Sequence, residues 1–427
     1  MLSKFKLQTL KEKLWAIVAA SFVARVVVFL TLPNVPSPLA PDEAAYANLA
    51  KWVGESKPVL QFPDYGEGLY LSARSLILPA NLFFRLGLSE LDATRIASSI
   101  YGFASLVLLV LITMKLYSSY KSKFAPSKYN ERLITVIFCL YAFLPSHFLW
   151  SNLALRESAT EFWSLFSLIT FFVVYHLHKR LTALGVAILV CCVVLTFSAR
   201  PQVGWVVGVS FLVYLVMNFN KAASRVLMLA ILSAILLGAL LNTGTSSYSF
   251  GKTIGPLINV GETISYKHEA NQNFASSIIQ TQSCPLEDLS FALTPPTKVS
   301  TYLCIAWRAP YMASTFMFRP IVGVDVTSGS SFIAAVENLI WATFFLAIIV
   351  MFYKKRYISF LKPLLPSMIF FVFYVLGASA YQGNMGTAFR HKSIILWVVL
   401  LLIFALAWRK PQDTSTKPGN NSQESAV

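Results

Sequence analysis

The stretch SIILWVVLLLIFALAW, from Ser393 to Trp408, contains no charged residue, no proline and no glycine. A helix of about 20 predominantly apolar residues crosses the hydrocarbon core of a bilayer, so this run is typical of a transmembrane span. Similar runs recur at Leu14 to Leu32, Ile96 to Met114, Leu133 to Trp150, Phe162 to Leu177, Leu181 to Ala199, Val203 to Phe219, Val226 to Leu241, Ile333 to Phe352 and Leu361 to Ala380. The pattern predicts an all-α fold, a polytopic transmembrane helical bundle of about ten spans.

The composition agrees with a membrane domain. Of the 427 residues, 56% are hydrophobic and 13% are charged, and the mean hydropathy is +0.62. These values lie far outside the usage of soluble globular proteins. We expect one transmembrane domain over residues 1–410, followed by a short polar tail, 411–427, that is disordered and cytoplasmic.

The net charge of +16 follows from the predicted topology. Cytoplasmic flanks of membrane spans retain Lys and Arg, and four lysines precede the first span: Lys4, Lys6, Lys11 and Lys13. Alternating the spans from an inside amino terminus puts the excess of basic residues, and the carboxyl terminus, on the cytoplasmic side. No single basic stripe remains, so nucleic acid is not an expected partner. The compact size of the chain favours a bacterial cytoplasmic membrane.

Two large loops fall on the predicted outer side. The first, about residues 33–95, contains the sequence PDEAAY from Pro41 to Tyr46, which indicates a helix start, and an apolar run from Leu76 to Arg85 that is too short to span. The second, about residues 242–332, contains a semi-apolar run from Val299 to Phe318. We expect interfacial helices in both loops. The second loop also contains Cys284 and Cys304. The sequence leaves undecided whether these two cysteines form a disulfide.

The predicted outer side also collects ionisable residues at or just inside helix ends. They are Arg25, Asp42, Glu43, Arg74, Arg95, Arg156, Glu157, Glu161, Arg200, Arg319, Glu337, Arg390 and His391. Charge near hydrocarbon is expensive, and it is therefore either functional or paired. The alternative is a set of salt bridges that fixes helix packing. The spacing of Glu157 and Glu161 puts both on one helical face, where they are expected to pair with Arg156 or Arg95.

Asp42 and Glu43 follow the first span, which puts a carboxylate at the membrane surface. Such a carboxylate can act as a general base on a nucleophile or ligate a divalent cation. The alternative is an acid that caps a loop helix.

Several motifs together resemble the GT-C superfamily of integral-membrane glycosyltransferases, in particular its protein O-mannosyltransferase and aminoarabinose-transferase branch. They are a first span with Arg25, then PDEAAY from Pro41, ATRIAS from Ala93, the triplet LRE from Leu155, SARP from Ser198 and GNMGTAFRH from Gly383 to His391. Each motif is short. The resemblance rests on the order of the motifs along the chain and on their shared position on the predicted outer side. The chain is shorter than many members of that superfamily, and we expect no separate soluble domain after the membrane region.

The resemblance implies transfer of a sugar from a polyprenyl-phosphate-linked donor to a glycan, lipid or protein acceptor outside the cytoplasm. It implies Asp42 as general base, with Glu43 as its neighbour, and a divalent cation, if there is one, bound by both. The phosphate-binding and substrate-binding candidates are Arg95, Arg156, Arg200, Arg390, His391 and Tyr46. Arginine can stabilise the negative charge that grows on a phosphate or pyrophosphate leaving group. Tyr46 either stacks on sugar or packs at the interface.

Two other classes of protein fit parts of the pattern. An O-antigen-type polysaccharide polymerase or ligase also combines outer arginines with a large outer loop, but the early Asp42 and Glu43 pair argues against it. A lipid or sugar transporter places polar residues and broken helices near the bilayer midplane and usually has repeats, which this sequence does not show. A non-catalytic scaffold is the remaining alternative.

Overall fold

The computed structural model describes residues 9–32, 39–62, 66–120, 128–177, 181–243, 298–326, 328–353, 362–381 and 385–406, and contains no strand within these ranges. Its α-helices, numbered in chain order, are α1 (Leu10–Thr31), α2 (Pro41–Gly54), α3 (Gly66–Leu71), α4 (Arg74–Arg85), α5 (Glu90–Tyr120), α6 (Lys128–Phe143), α7 (Pro145–Asn152), α8 (Glu157–Phe172), α9 (Ala183–Ala199), α10 (Pro201–Met217), α11 (Ala222–Asn242), α12 (Lys298–Phe318), α13 (Gly329–Tyr353), α14 (Leu365–Tyr381) and α15 (Met385–Leu406). The all-α class is confirmed.

In this part of the chain, eight helical segments are long and apolar enough to cross a membrane: Leu10–Thr31, Glu90–Leu116, Glu131–Asn152, Glu157–Leu177, Ala222–Asn242, Ser331–Met351, Lys362–Ala380 and Gly386–Ala405. The protein is therefore an integral membrane protein. Helices α9 and α10 are apolar but shorter, with 17 residues each. An apolar helix thus occupies every expected position, and full crossing by α9 and α10 stays a prediction.

Helix α15 lies at the centre of the bundle. It packs against α7, α8, α13 and α14, and the side chains from His391 to Ala405 are all buried. This environment explains why its sequence shows no polar face. The second turn of α15, with Arg390 and His391, is held inside the protein instead of facing lipid.

Helices α9 and α10 form a hairpin whose corner is Arg200. The backbone of Arg200 is extended, with φ −164° and ψ 106°, and Pro201 is the first residue of α10. Proline suits this position because it has the φ angle of a helix and needs no hydrogen-bond acceptor for its nitrogen. The Arg200 carbonyl accepts from the N–H groups of Val203 and Gly204. The corner places the Arg200 side chain at the end of the bundle.

The first loop folds as a layer of short helices over that end. Helices α2 and α4 pack against each other and against α5, and α4 also contacts α9. Leu76, Ile77 and Ala80 bury one face of α4, whereas Leu78 and Leu82 on the other face are exposed. The expected loop helix is present, and its position in the membrane interface stays a prediction.

Of the second loop, the structure describes α12 and the residues that follow it. The expected semi-apolar run from Val299 to Phe318 forms this helix. Cys284 and the side chain of Cys304 lie outside the described residues. The cysteines among the described side chains, Cys139, Cys191 and Cys192, are free thiols.

Phe197 packs between two glycines and holds α9, α10 and α11 together. A Cβ atom at Gly238 would lie 2.5 Å from Cδ2 and 2.8 Å from Cγ of Phe197, and a Cβ atom at Gly204 would lie 2.5 Å from the same ring. Phe197 is fully buried, so its ring cannot move away from one glycine without meeting the other. Small residues at such contacts let membrane helices approach closely.

We predict that Gly238→Ala lowers the free energy of unfolding by about 1–3 kcal/mol, because an added methyl group overpacks the site. The matched control is Gly377→Ala in α14, where a Cβ atom would meet nothing within 4 Å. Thermal unfolding of the purified variants in detergent measures both. Equal midpoints for the two variants would contradict the proposed packing of Phe197.

Candidate functional site

The amino-terminal turn of α2 carries the two candidate carboxylates. Pro41 is its first residue, and Asp42 and Glu43 follow in the first turn, where the helix dipole favours negative side chains. Adjacent residues of an α-helix project about 100° apart. The two carboxylates therefore face different surroundings, and the structure gives them different partners.

Glu43 forms a buried ion pair with Arg95 of α5. The Nε atom of Arg95 donates to Oε1 at 3.0 Å and its NH2 atom donates to Oε2 at 3.3 Å. The same carboxylate accepts backbone hydrogen bonds from Leu39 at 2.7 Å, Ala40 at 3.2 Å and Ala154 at 2.9 Å. Burial acts to raise the pKa of Glu43, but the hydrogen bonds from Arg95, Ala154 and Leu39 outweigh it and hold the pKa below its ordinary value.

Asp42 faces the end of the bundle and contacts α15. The NH2 atom of Arg390 donates to its Oδ2 atom at 2.9 Å. The Asp42 side chain is 49% exposed, whereas that of Arg390 is 13% exposed. Asp42 is thus a carboxylate that a ligand can reach, paired with a cation that is held in place by the protein.

Next to this pair, residues from three other segments form a second buried group. The NH2 atom of Arg200 lies 2.7 Å from Nε2 of His391. Oε1 of Glu157, the first residue of α8, lies 4.0 Å from NH1 of Arg200 and 3.8 Å from Nε2 of His391. Glu157 and Asp42 both interact electrostatically with Arg390, so the two groups form one site.

Arg156 and Tyr46 complete the group. The NH1 atom of Arg156 donates to the carbonyl oxygen of Ser72 at 3.2 Å and to its hydroxyl at 2.9 Å. Tyr46 is buried and interacts electrostatically with Arg156, Asp42, Glu157 and Arg200. Burial raises the pKa of Tyr46 to about 12, so its phenol stays protonated at neutral pH and can donate a hydrogen bond.

The structure brings together most of the site residues that the sequence predicts. Asp42, Tyr46, Arg156, Arg200, Arg390 and His391 share this end of the bundle. Glu43 and Arg95 lie beside it but are buried and bonded to each other. We therefore interpret both as positioning residues that hold α2 against α5, although Glu43 was expected as the catalytic neighbour of Asp42 and Arg95 as a phosphate contact.

The structure favours no metal site at this position. Among the described residues, no three His, Cys, Asp or Glu side chains are grouped so that they could hold a metal ion. Both oxygens of Glu43 accept hydrogen bonds, and the visible partner of Asp42 is the guanidinium of Arg390. A divalent cation bound jointly by Asp42 and Glu43, which the resemblance left open, does not fit this donor set.

Other ionisable residues from the outer set lie deeper in the bundle. Glu161 accepts from the hydroxyl of Tyr141 and lies 3.0 Å from Nδ1 of His147, whose Nε2 is 3.4 Å from NH2 of Arg25. The expected pairing of Glu157 and Glu161 with Arg156 or Arg95 is therefore wrong. Helix packing buries the carboxylates against α6, α7 and α15 instead.

Two other members of that set make contacts that fix packing. Arg74 donates to the hydroxyl of Ser198 at 3.2 Å and to the carbonyl of Leu241 at 3.3 Å, which joins α4 to α9 and α11. Arg319 forms an ion pair with Asp325. The alternative of salt bridges that fix packing thus holds for part of the set.

Two contributors were not among the predicted site residues. Glu157 was included in the outer set of ionisable residues and in the LRE triplet, but it was expected to pair with Arg156 or Arg95 and not to bind substrate. Ser72 binds Arg156 from the first loop, and no local pattern in the sequence marks it. Ser72 and Arg156 meet only because the first loop folds over the start of α8.

Three comparisons, with protein-family models, with curated proteins and with solved structures, find no match to this chain.

We predict that Glu43→Gln lowers the free energy of unfolding by about 3–5 kcal/mol, since removing one partner leaves the charge of Arg95 buried without compensation. The matched control is Glu55→Gln at the other end of α2, where the carboxylate is exposed and pairs with Lys57 on the surface. Thermal unfolding in detergent compares the two variants. A midpoint for Glu43→Gln equal to that of the control would contradict the positioning role.

Proposed function

We propose that the protein is a membrane glycosyltransferase that moves a sugar from a polyprenyl-phosphate-linked donor to an acceptor. The observation that carries the proposal is the half-exposed Asp42 held by Arg390, beside Arg156, Arg200 and His391, at one end of a membrane bundle. A lipid-linked substrate needs such a site, because its phosphate lies at the membrane surface while its chain stays in hydrocarbon.

Asp42 is the general base of the proposed reaction. A base must be reachable by the acceptor hydroxyl, and among the carboxylates of the site Asp42 alone is half-exposed, whereas Glu43 and Glu157 are buried. The acceptor oxygen attacks the anomeric carbon as Asp42 takes its proton, and the bond from that carbon to the phosphate oxygen breaks. A single displacement of this kind inverts the anomeric centre.

The arginines stabilise the leaving group. Negative charge grows on the phosphate oxygen as its bond to the sugar breaks, and fixed donors aimed at that charge lower the barrier. One nitrogen of Arg390 contacts Asp42, and a guanidinium has five N–H donors, so the same side chain can bind phosphate as well. Arg156 and Arg200 add two further guanidinium groups from different segments.

The side of the membrane follows from the distribution of Lys and Arg. The site lies at the end of the bundle opposite the basic flanks, so it faces the outer side of a bacterial cytoplasmic membrane if cytoplasmic flanks are the positive ones. Both termini are then cytoplasmic. Donors linked to polyprenyl phosphate would reach the site from the outer leaflet, and the acceptor would be a glycan, a lipid or a protein there.

We predict that Asp42→Asn reduces sugar transfer by at least about 100-fold, the scale of a lost general base, while folding is retained because Asp42 is half-exposed. Membranes with matched amounts of wild type or variant receive radiolabelled native polyprenyl-linked sugars, and the label in non-donor product is counted. Glu55→Gln, about 20 Å away along α2, is the matched control and is expected to retain full transfer.

The outcomes separate the candidate functions. Unchanged transfer by Asp42→Asn would contradict the assignment of Asp42 as the general base. Transfer that depends on diphosphate-linked donors but not on Asp42 would instead favour a polysaccharide polymerase or ligase. Movement of labelled lipid across the membrane without a new glycosidic bond would favour a transporter.

A further inference from the structure

Some polar atoms at the site are buried and make no hydrogen bond with any described residue. They include Oε2 of Glu157 and Nδ1 of His391. The two residues are 4% and 3% exposed. Buried polar groups in native proteins are almost always hydrogen-bonded, so unsatisfied atoms within one site are candidate contacts to a ligand.

The contact with Arg200 fixes the protonation of His391. A guanidinium has only donors, and NH2 of Arg200 lies 2.7 Å from Nε2 of His391. Nε2 must therefore accept, which makes the imidazole neutral and puts its single proton on Nδ1. The unsatisfied atom of His391 is thus an N–H donor.

The unsatisfied atom of Glu157 is an acceptor. Its carboxylate lies beside Arg200 and interacts electrostatically with Arg390 and Tyr46. The oxygens of a carboxylate accept hydrogen bonds. The site therefore offers one buried acceptor and one buried donor, separate from the exposed pair of Asp42 and Arg390.

The chemistry of these two atoms selects a neutral ligand with hydroxyl groups. A metal cation would be repelled by Arg200 and Arg390, and an anionic group placed directly against Oε2 would be repelled by the carboxylate of Glu157. A protonated amine could donate to Glu157 but could not accept from His391. A hydroxyl group both donates and accepts, so neighbouring hydroxyls of one sugar ring can satisfy both atoms.

We propose that Glu157 and His391 bind hydroxyl groups of the donor sugar and so determine which sugar is transferred. This inference rests on the proposed function, in which Arg156, Arg200 and Arg390 bind the phosphate of the same donor. Glu157 follows Arg156 directly in the chain, and His391 follows Arg390. Each adjacent pair thus supplies one contact to phosphate and one to sugar, which sets the distance between the two parts of the ligand.

The test compares the natural donor sugar with analogues that lack one hydroxyl each. The sugar is first identified from the labelled product of wild-type membranes, and the deoxy analogues are attached to the same polyprenyl carrier. Wild type is expected to use at least one analogue about 100-fold or more poorly, because a site built to hydrogen-bond a hydroxyl rejects a ligand without it. In Glu157→Gln, the loss for that analogue is expected to shrink below about tenfold.

Two variants of His391 distinguish the roles of its two ring nitrogens. Glutamine places its amide near the position of Nε2, and asparagine places it near Nδ1. We expect His391→Gln to lose discrimination against a second analogue, and His391→Asn to keep it at a lower overall rate. Thermal midpoints in detergent verify folding, and Glu55→Gln is expected to match wild type throughout.

The results distinguish this inference from the proposed function. If wild type and both variants, Glu157→Gln and His391→Gln, reject every analogue to the same extent, the two side chains do not bind the sugar and the inference is overturned, while Asp42-dependent transfer would stand. If wild-type membranes transfer no sugar, both proposals are overturned. Loss of discrimination in either folded variant supports the assignment of that side chain.

Discussion

The arrangement of the site depends on the buried ion pair between Glu43 and Arg95. Its carboxylate accepts hydrogen bonds from Leu39 just before α2, from Arg95 in α5 and from Ala154 in the connection between α7 and α8. A buried pair with all its hydrogen bonds made is costly to break, because either partner alone would be an uncompensated charge. This one contact therefore fixes the first-loop layer to the transmembrane bundle and sets the position of Asp42.

Two adjacent carboxylates consequently have different tasks. Glu43 points into the protein and is saturated by donors, whereas Asp42 points towards the open end of the site and meets one guanidinium. Helix geometry makes the division unavoidable, since neighbours on a helix cannot face the same surroundings. Glu43 holds α2 against α5, and the exposed Asp42 is available to a ligand.

Polar contacts inside the bundle fix the position of Arg390 and His391, the site residues on α15. Lys392, next to His391, donates to Asn338 at 2.8 Å and to the carbonyl of Arg319 at 2.9 Å, which ties α15 to α13 and to the end of α12. Polar contacts between membrane helices contribute modestly to stability but define a specific arrangement. The result is a fixed orientation for Arg390 and His391, which is what preorganised binding of a developing charge requires.

The sequence by itself determined the class of fold and the approximate positions of the helices, because the length and apolarity of a span are local properties. It also indicated Asp42, Tyr46, Arg156, Arg200, Arg390 and His391 as residues of one end of the bundle, since alternating spans put their helix ends on one side. Tertiary structure alone decided the partners. It paired Glu43 with Arg95 across 52 positions and Asp42 with Arg390 across 348, and it placed Glu157 beside His391. Such pairings depend on how helices pack against each other, and no local pattern in the chain encodes that distance.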